Sequence, residues 1–316
     1  MSGPAPVRVA IVGAGKMARE HARAFKAIPG VVLAGIHSRT RARAEALAFE
    51  LGIPRVYDSL AELHEATRAD LAVVTVFEAA MKAVALACLD LPWALLLEKP
   101  PGLDVAEAED IARRARARER RVWVGLNRQW LSSTQAALGE LASVEGTRFV
   151  KVQDQQNLAQ AAALGHPPEV VRHWMYANSI HLVDYFRILA RGEVVKVDNV
   201  LRWDLARPGP VVAFLRFASG DLGLYEALWH APGPWAATVT AAGQRWELRP
   251  LESLTTQRLG ERPASREADP RESELKAGFR LQAEKAVAAL RGGPDEMPSI
   301  DDALRTMHLI RAIYGA

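Results

Sequence analysis

Short apolar runs alternate with helical segments over the first 125 residues, and this alternation restricts the fold more than any other feature. The apolar runs lie at 7–12, 31–36, 71–76, 94–97 and 122–126, and helices are predicted at 16–27, 41–51, 59–66, 79–89 and 105–120. Strands that are apolar on both faces belong in a parallel sheet covered by helices on both sides. We therefore predict an α/β domain with a parallel sheet over residues 1–125.

The pattern changes after about residue 127. Longer runs with partial alternation, at 147–153, 194–203, 210–218, 222–229 and 237–242, predict an α+β domain at 126–298 with a large, mainly antiparallel open sheet. Ser219-Gly220-Asp221 is typical of a hairpin turn. Helices are predicted at 178–190 and 272–290, and a polar surface loop at 257–271. A last helix at 300–314, with Ser299 as its N-cap, is expected to pack back toward the first domain from within 299–316.

Composition excludes several classes of protein. There are 40 basic and 37 acidic residues, and a net charge of +3 does not indicate a nucleic-acid surface. The single cysteine, Cys88, excludes an internal disulfide framework and a cysteine-cluster metal site, so no metal is expected. The most apolar stretch, 71–97, is interrupted by Glu78, Lys82 and Asp90 and is unsuited to a membrane span. We expect a cytoplasmic protein with a small-molecule substrate.

The sequence GAGKMA carries the first chemical signal, between the first strand and the first helix. Gly13 permits a tight turn, Gly15 leaves room for a pyrophosphate, and Ala18 lets the helix pack closely on the strand. The N–H groups of the following helix, from Lys16 and Met17 onward, would bind the phosphates. This predicts a dinucleotide site of the Rossmann type, with an ordinary strand–helix turn as the alternative.

Ser38 and Arg39 follow the second strand, where NAD-selective sites place an acidic residue on the ribose 2′-hydroxyl. A hydroxyl and a guanidinium suit a 2′-phosphate instead, which favours NADP, with NAD still possible. The alternative is that Arg39, Arg41 and Arg43 are solvated helix charges.

Glu98 and Lys99 follow a buried strand, at the sheet edge where ligands bind in such folds. Burial and the positive nicotinamide of an oxidised cofactor would lower the pKa of Lys99 toward a value useful for proton transfer. The alternative is a surface lysine paired with Glu98. Thr75 and Val76, at the end of the apolar run 71–76, and Phe77, just after it, are also predicted to contact the cofactor.

The segment at 172–189 contains His181 and Asp184, which are three residues apart and would share one face of a helix. Asn178 or Ser179 could cap that helix and place His181 in its first turn, where the helix dipole keeps an imidazole neutral and able to accept a proton. The alternative is a half-buried structural histidine.

Taken together, these motifs resemble the glucose–fructose oxidoreductase / inositol dehydrogenase family, also called Gfo/Idh/MocA. The resemblance rests on GAGKMA, on EKP at 98–100, on GLNRQW at 125–130, on IHLVDYFRIL and on the closing segment from Pro298. It implies a Rossmann domain, a second domain with an open antiparallel sheet, and a nicotinamide cofactor. It also implies hydride transfer to or from a sugar, cyclitol or related polyol, a homodimer or homotetramer formed through that sheet, and Lys99 and His181 as catalytic residues.

Further polar residues are candidates to line the substrate pocket beside His181, namely Asn127, Arg128, Arg172, His173, Trp174 and Asn178. The sequence also departs from the family. Ala177 replaces an aspartate four residues before the histidine, Val76-Phe77 and Met81 replace Thr-Pro and a histidine, and Ser179 replaces a glycine. Two alternative functions therefore stay open: elimination or glycosidic cleavage through transient oxidation with the cofactor retained, and a non-catalytic, cofactor-bound metabolite sensor.

Overall fold

The computed structural model describes residues 5–266 and 268–315 and divides the chain into two compact units. The first unit runs to Asn127 and also includes Arg271–Leu304, whereas the second comprises Arg128–Pro270 and the residues from Arg305 onward. The sequence prediction assigned 271–298 to the second domain, but this segment clusters with the first. None of the described helices has the length and apolar character that a membrane crossing requires.

The first unit begins with alternating strands and helices: β1 (Val7–Val12), α1 (Lys16–Lys26), β2 (Val31–His37), α2 (Arg41–Leu51), β3 (Val56–Tyr57), α3 (Leu60–Thr67), β4 (Leu71–Val74), α4 (Glu78–Leu89), β5 (Ala94–Leu97), α5 (Val105–Ala117) and β6 (Val122–Val124). The sheet is parallel, in the order β3-β2-β1-β4-β5-β6, which is the Rossmann order. The predicted fold class is confirmed; the two-residue β3 was not predicted.

The strand order of this sheet reverses between β1 and β4, which pair in parallel up to Val12 and Val74. In open α/β sheets, ligands bind beyond the carboxyl ends of the strands at such a reversal. The segments that follow Val12 and Val74 are the glycine loop and Thr75, so the fold brings two of the predicted cofactor segments together.

The remaining elements, after a 3-10 turn at Asn127–Trp130, are α6 (Ser132–Leu141), β7 (Phe149–Gln156), α7 (Leu158–Ala163), α8 (Pro168–Arg172), a π-helical turn (Met175–Ser179), α9 (Ile180–Leu189), β8 (Val194–Leu201), β9 (Val211–Phe217), β10 (Leu222–Trp229), β11 (Ala236–Ala241), β12 (Gln244–Leu248), β13 (Leu254–Arg258), β14 (Ala264–Arg266), a 3-10 turn (Pro270–Ser273), α10 (Phe279–Leu290) and α11 (Ile300–Tyr314). Of these, α10 belongs to the first unit, and α11 begins in the first and ends in the second.

The second unit is built on one eight-stranded sheet in the order β14-β13-β12-β11-β7-β10-β9-β8. Only the β7–β10 pair is parallel, so the sheet is mainly antiparallel, as predicted. The prediction of a surface loop at 257–271 is wrong in part, because β14 and the end of β13 lie within it. Both are short, polar and at the sheet edge, where little burial is required and the hydrophobic signal is weak.

The prediction that a helix starts at 272 is also wrong, since α10 begins at Phe279. Its buried face, which includes Phe279, Ala283 and Ala286, packs against α1. This packing returns the segment to the first unit.

The β9–β10 hairpin turns at Gly220, as predicted, and carries a buried carboxylate. Asp221 accepts hydrogen bonds from the backbone N–H of Arg148, at 2.9 Å, and from the side chain of Arg191, at 2.6 and 3.0 Å. Burial alone would raise the pKa of Asp221, but these donors lower it to about 2. The carboxylate therefore ties the hairpin to Arg148, just before β7, and to Arg191, two residues after α9.

Candidate functional site

The glycine loop after β1 has no room for a side chain at its first glycine. Gly13 has a φ of +110°, and a Cβ there would lie 2.7 Å from the carbonyl oxygen of Thr75. Its N–H donates to the carbonyl of His37 over 2.8 Å. Because Thr75 follows β4 and His37 ends β2, the tight turn joins the ends of three neighbouring strands.

The second glycine, Gly15, has free space around its Cα, in contrast to Gly13. Gly15 is the N-cap of α1, with a φ of −90°, and a Cβ there would meet no atom within 4 Å. The first bond of the helix is donated by Arg19 to Gly15, so the N–H groups of residues 16–18 precede it. The first turn carries no acidic residue. An open cradle, unpaired backbone donors and a helix N-terminus fit the diphosphate of a dinucleotide.

Ser38 and Arg39 lie at the end of β2, and Arg39 is exposed. Within the described part of the chain, Arg39 forms no ion pair, whereas Arg41 pairs with Glu45 and Asp58. Arg41 is thus a paired charge within α2, whereas Arg39 is an exposed charge just after β2, which is compatible both with binding a 2′-phosphate and with the alternative of a solvated arginine.

Glu98 is buried at the end of β5 and is held by a histidine from α1. Its Oε1 lies 2.9 Å from Nε2 of His21, and its Oε2 accepts the backbone N–H of Lys99 over 3.0 Å. Burial alone would raise the pKa of Glu98, but the hydrogen bond and charge of His21, with the ammonium groups of Lys99 and Lys276, lower it. Glu98 is therefore a fixed negative charge beside Lys99.

The remaining cofactor candidates follow β4. Thr75 is buried, and its hydroxyl donates to the carbonyl of Val12 over 3.2 Å. Val76 is half-buried, and Phe77 is the N-cap of α4 with 43% of its surface exposed. Lys16 and Met17 open α1. The structure thus gathers the loop, Thr75 and the residues after β5 along one edge of the parallel sheet.

His181 lies in the second unit, near the start of α9, and is buried with 9% of its surface exposed. The prediction that Asn178 or Ser179 caps this helix is wrong. The π-helical turn at Met175–Ser179 runs directly into α9, and Ser179 itself has helical dihedral angles with no capping bond from its side chain. His181 therefore does not occupy an isolated helix N-terminus, and the argument from the helix dipole no longer applies to it.

Asp184, which lies three residues after His181, forms hydrogen bonds with other residues. Both of its carboxylate oxygens accept hydrogen bonds from Arg187, at 2.7 and 2.8 Å, and one also accepts the hydroxyl of Thr306 at 2.8 Å. Ala177 is buried in the π-helical turn and carries no titratable group. Position 177, where the family resemblance implies an aspartate that acts in a proton relay, therefore supplies no carboxylate, and Asp184 forms a structural ion pair.

Two of the predicted substrate residues meet at one amide group that sequence reasoning missed. The Oε1 of Gln156 accepts a hydrogen bond from Trp174 Nε1, at 2.9 Å, and from Asn178 Nδ2, at 2.8 Å. Gln156 in turn donates to Asp154 over 2.6 Å, and Asp154 accepts the hydroxyl of Tyr225 over 2.8 Å. Burial raises the pKa of Asp154. The signal was the buried, polar end of the otherwise apolar inner face of β7.

The other predicted substrate residues belong to both units. In the first unit, Asn127 is buried and donates to the carbonyl of Ala277 over 3.2 Å. In the second unit, Arg172 is exposed, and Nδ1 of His173 lies 2.8 Å from the carbonyl of Glu169.

Arg128 belongs to a small group around Trp235, which the sequence did not single out. Its guanidinium donates to Glu252 over 2.8 Å and lies 5.9 Å from the ring centre of Trp235. The ring of His181 is 6.3 Å from the same indole. Across the described residues, no group of three or more His, Cys, Asp and Glu side chains is placed to hold a metal ion.

Comparison with known proteins agrees with this geometry. Residues 7–126 match the model of the Gfo/Idh/MocA oxidoreductase family, described as an NAD-binding Rossmann fold. Trans-1,2-dihydrobenzene-1,2-diol dehydrogenase of Mus musculus is 29% identical over 113 residues, which is 35% of this chain and 34% of the mouse protein. The aligned part is thus about a third of that relative.

Solved structures resemble the chain over nearly its full length. UDP-N-acetylglucosamine 3-dehydrogenase from Acidithiobacillus ferrooxidans is 18% identical with a TM-score of 0.78, covering 98% of this chain and 97% of that one. Levoglucosan dehydrogenase, solved in complex with NADH and levoglucosan, is 16% identical with a TM-score of 0.81, covering 98% and 96%. At these identities the likeness establishes the fold of both units.

Proposed function

Through its residues 7–126 this chain belongs to the Gfo/Idh/MocA family of oxidoreductases, and on that premise we propose an NADP(H)-dependent enzyme that acts on a sugar, a cyclitol or a related polyhydroxylated molecule. One observation supports the cofactor proposal above all: Thr75 leaves no room for a side chain at Gly13, whereas the space around Gly15, before the first turn of α1, is empty. A bound nicotinamide would supply the site that accepts or donates the hydride.

The cofactor would be held along the edge of the parallel sheet. Gly13, Gly15, Lys16 and Met17 would bind the diphosphate, Ser38 and Arg39 the 2′-phosphate, and Thr75, Val76, Phe77, Glu98 and Lys99 the nicotinamide half. Arg39 supports the preference for NADP because it is exposed, forms no ion pair among the described residues and occupies the place of the acidic ribose ligand.

Lys99 is the residue we assign to proton transfer at the substrate oxygen. Oxidation of a carbinol carbon requires a proton to leave its oxygen, and an amine beside the nicotinamide can accept it. Glu98 keeps a fixed charge next to Lys99, oriented by His21. His181 is assigned a supporting role as acid or base, and Asn127, Arg128, Arg172, His173, Trp174 and Asn178 stay candidates for substrate binding.

The substrate class is supported by the polar character of the second unit around Gln156 and by the relatives. Two of the similar solved structures are a UDP-N-acetylglucosamine 3-dehydrogenase and a levoglucosan dehydrogenase. Trp174 and Asn178, held on Gln156, offer the mixture of an apolar ring and an amide that suits a polyol. A homodimer or homotetramer through the second sheet, and a cytoplasmic location, stay predictions.

A cofactor-bound metabolite sensor is the second candidate. It is favoured by Ala177 and by the pairing of Asp184 with Arg187, because together they leave the second unit without the carboxylate of the family relay. Both candidates bind the cofactor, so only turnover separates them. A cofactor-retaining elimination would show product without net change in nicotinamide absorbance.

Titration of NADPH and NADH against three proteins tests the cofactor proposal. Arg39→Ala should weaken NADPH binding by about 10- to 150-fold, since a charge-assisted contact contributes roughly 1.5–3 kcal/mol. NADH binding should change little. Arg43→Ala removes an exposed arginine from the same stretch and serves as the matched control. Equal losses for both cofactors in Arg39→Ala would show that Arg39 does not bind the 2′-phosphate.

Turnover of Lys99→Met on a substrate found by screening sugars and cyclitols tests the catalytic assignment. Acid–base catalysis contributes roughly 10²–10⁴-fold, so we expect kcat to fall at least about 100-fold while the NADPH dissociation constant stays within about threefold. His181→Ala should lower kcat less, because Ala177 supplies no carboxylate to a relay with His181 and water can partly replace the imidazole. Wild-type turnover in Lys99→Met would overturn the catalytic assignment of Lys99, whereas a wild-type protein that binds NADPH but turns over none of the screened compounds would favour the sensor.

A further inference from the structure

The segment just before α10 is fastened to the first unit on both sides of one lysine, Lys276. The side chain of Arg23, in α1, donates to the carbonyl of Glu274 over 3.1 Å. Two residues before α10, the carbonyl of Ala277 accepts the amide of Asn127 over 3.2 Å. These two bonds fix the backbone that presents Lys276.

The ammonium group of Lys276 lies against the first turn of α1. Its Nζ is 3.5 Å from Sδ of Met17, the second residue of that helix, and 5.3 Å from the ring centre of Phe279. The ring of Phe279 packs at a tilt against His21 of α1, with 4.6 Å between ring centres. The charge of Lys276 also helps to lower the pKa of Glu98. Lys276 therefore adds positive charge beside the glycine loop.

We propose that Lys276 is a cofactor-binding residue whose ammonium group binds the diphosphate of the dinucleotide at the N-terminal end of α1. The inference rests on the proposed function, because it concerns the same site. A helix N-terminus binds an anion through its N–H groups and dipole, and a lysine supplies a compact point charge with rotatable donors for phosphate oxygens.

The local charges favour this role for Lys276. The first turn of α1 carries no acidic residue, so the ammonium group meets the neutral thioether of Met17 there. A bound diphosphate would place its negative charge at this end of the helix, beside the ammonium group.

Binding of ADP-ribose, NADH and NADPH, measured by calorimetry on the full-length protein, tests the proposal. ADP-ribose contains the diphosphate but no nicotinamide. Lys276→Met should weaken the binding of all three ligands by a similar factor of about 10-fold. This factor corresponds to one charge-assisted hydrogen bond at the weak end of its range, as expected at an exposed site. The factor should shrink near 1 M salt, where the screening length is roughly 3 Å.

Two further variants make the result decisive. Lys276→Arg keeps the charge and should bind within about threefold of the wild type. Lys285→Met removes a lysine that pairs with Glu296 further along the same segment, in α10, and should bind like the wild type. If Lys276→Met binds ADP-ribose no more weakly than Lys285→Met does, the inference is wrong while the proposed function stands. If the wild type binds none of the three ligands, the proposed function itself fails.

Discussion

Replacing each of the two loop glycines by alanine separates the demands of folding from those of cofactor binding. At Gly13 the φ of +110° excludes ordinary residues, and the new Cβ would lie 2.7 Å from the Thr75 carbonyl. The backbone strain costs about 1–3 kcal/mol and the overpacking about 1–3 kcal/mol more. At Gly15 the φ is −90° and the Cβ meets nothing within 4 Å, so the two opposing effects on stability, a poorer N-cap and a less flexible unfolded chain, nearly cancel.

Gly13→Ala should therefore lower the Tm of the cofactor-free protein by on the order of 10 °C, at about 2–4 °C per kcal/mol for a unit of this size. Gly15→Ala should melt within about 2 °C of the wild type. Its methyl group fills the diphosphate cradle instead, and an overpacking cost of about 1–3 kcal/mol weakens NADPH about 5- to 150-fold. Differential scanning fluorimetry without ligand and a fluorescence titration with NADPH measure the two effects. Wild-type affinity in Gly15→Ala would refute the placement of the diphosphate, and a wild-type Tm in Gly13→Ala would refute the steric argument.

Two further predictions concern the second unit. Asp221→Asn should lower the free energy of unfolding by about 2 kcal/mol near neutral pH, as measured in urea titrations. Because the pKa of Asp221 in the folded protein is about 2, the greater stability of the wild type should diminish as the pH falls from about 4 to about 2. A stability difference that stays constant over this range would contradict the role of the ionised Asp221 carboxylate. Gln156→Leu removes the acceptor that holds Trp174 and Asn178. We expect a higher substrate KM and altered tryptophan fluorescence with NADPH affinity unchanged, and an unaltered KM would show that Gln156 does not position the substrate residues.

The parallel sheet and its glycine loop could be predicted because their signals are local. Each buried strand is a short apolar run, and Gly13 and Gly15 lie within one strand–turn–helix unit. The hydrogen bond between Glu98 and His21 could not be predicted, because His21 lies 77 residues away and an isolated histidine on a helix gives no signal of its own. Lys276 was missed for the same reason, since it reaches α1 only through the tertiary packing of α10.

The errors in the second unit have a similar origin. Asn178 and Ser179 have the composition of helix caps, but the π-helical turn continues the helical path through them, and local sequence does not distinguish the two cases. The polar end of β7 is explained by partners distant in the sequence: Tyr225 of the neighbouring strand β10 donates to Asp154, and Trp174 and Asn178 donate to Gln156. Single-sequence reasoning predicts least well the polar residues whose hydrogen-bond partners are distant in the sequence.

The discontinuous first unit has a consequence for how the chain matures on the ribosome. The face of α1 that α10 covers is completed only after the roughly 140 residues between Asn127 and Arg271 have been synthesised. At a translation rate of about 5–20 residues per second, residues 1–127 wait roughly 7–30 s while His21 on α1 lacks the cover that Phe279 of α10 provides. An N-terminal unit that could otherwise fold first is thereby obliged to finish late, and chaperone occupancy of stalled chains should persist until α10 has emerged.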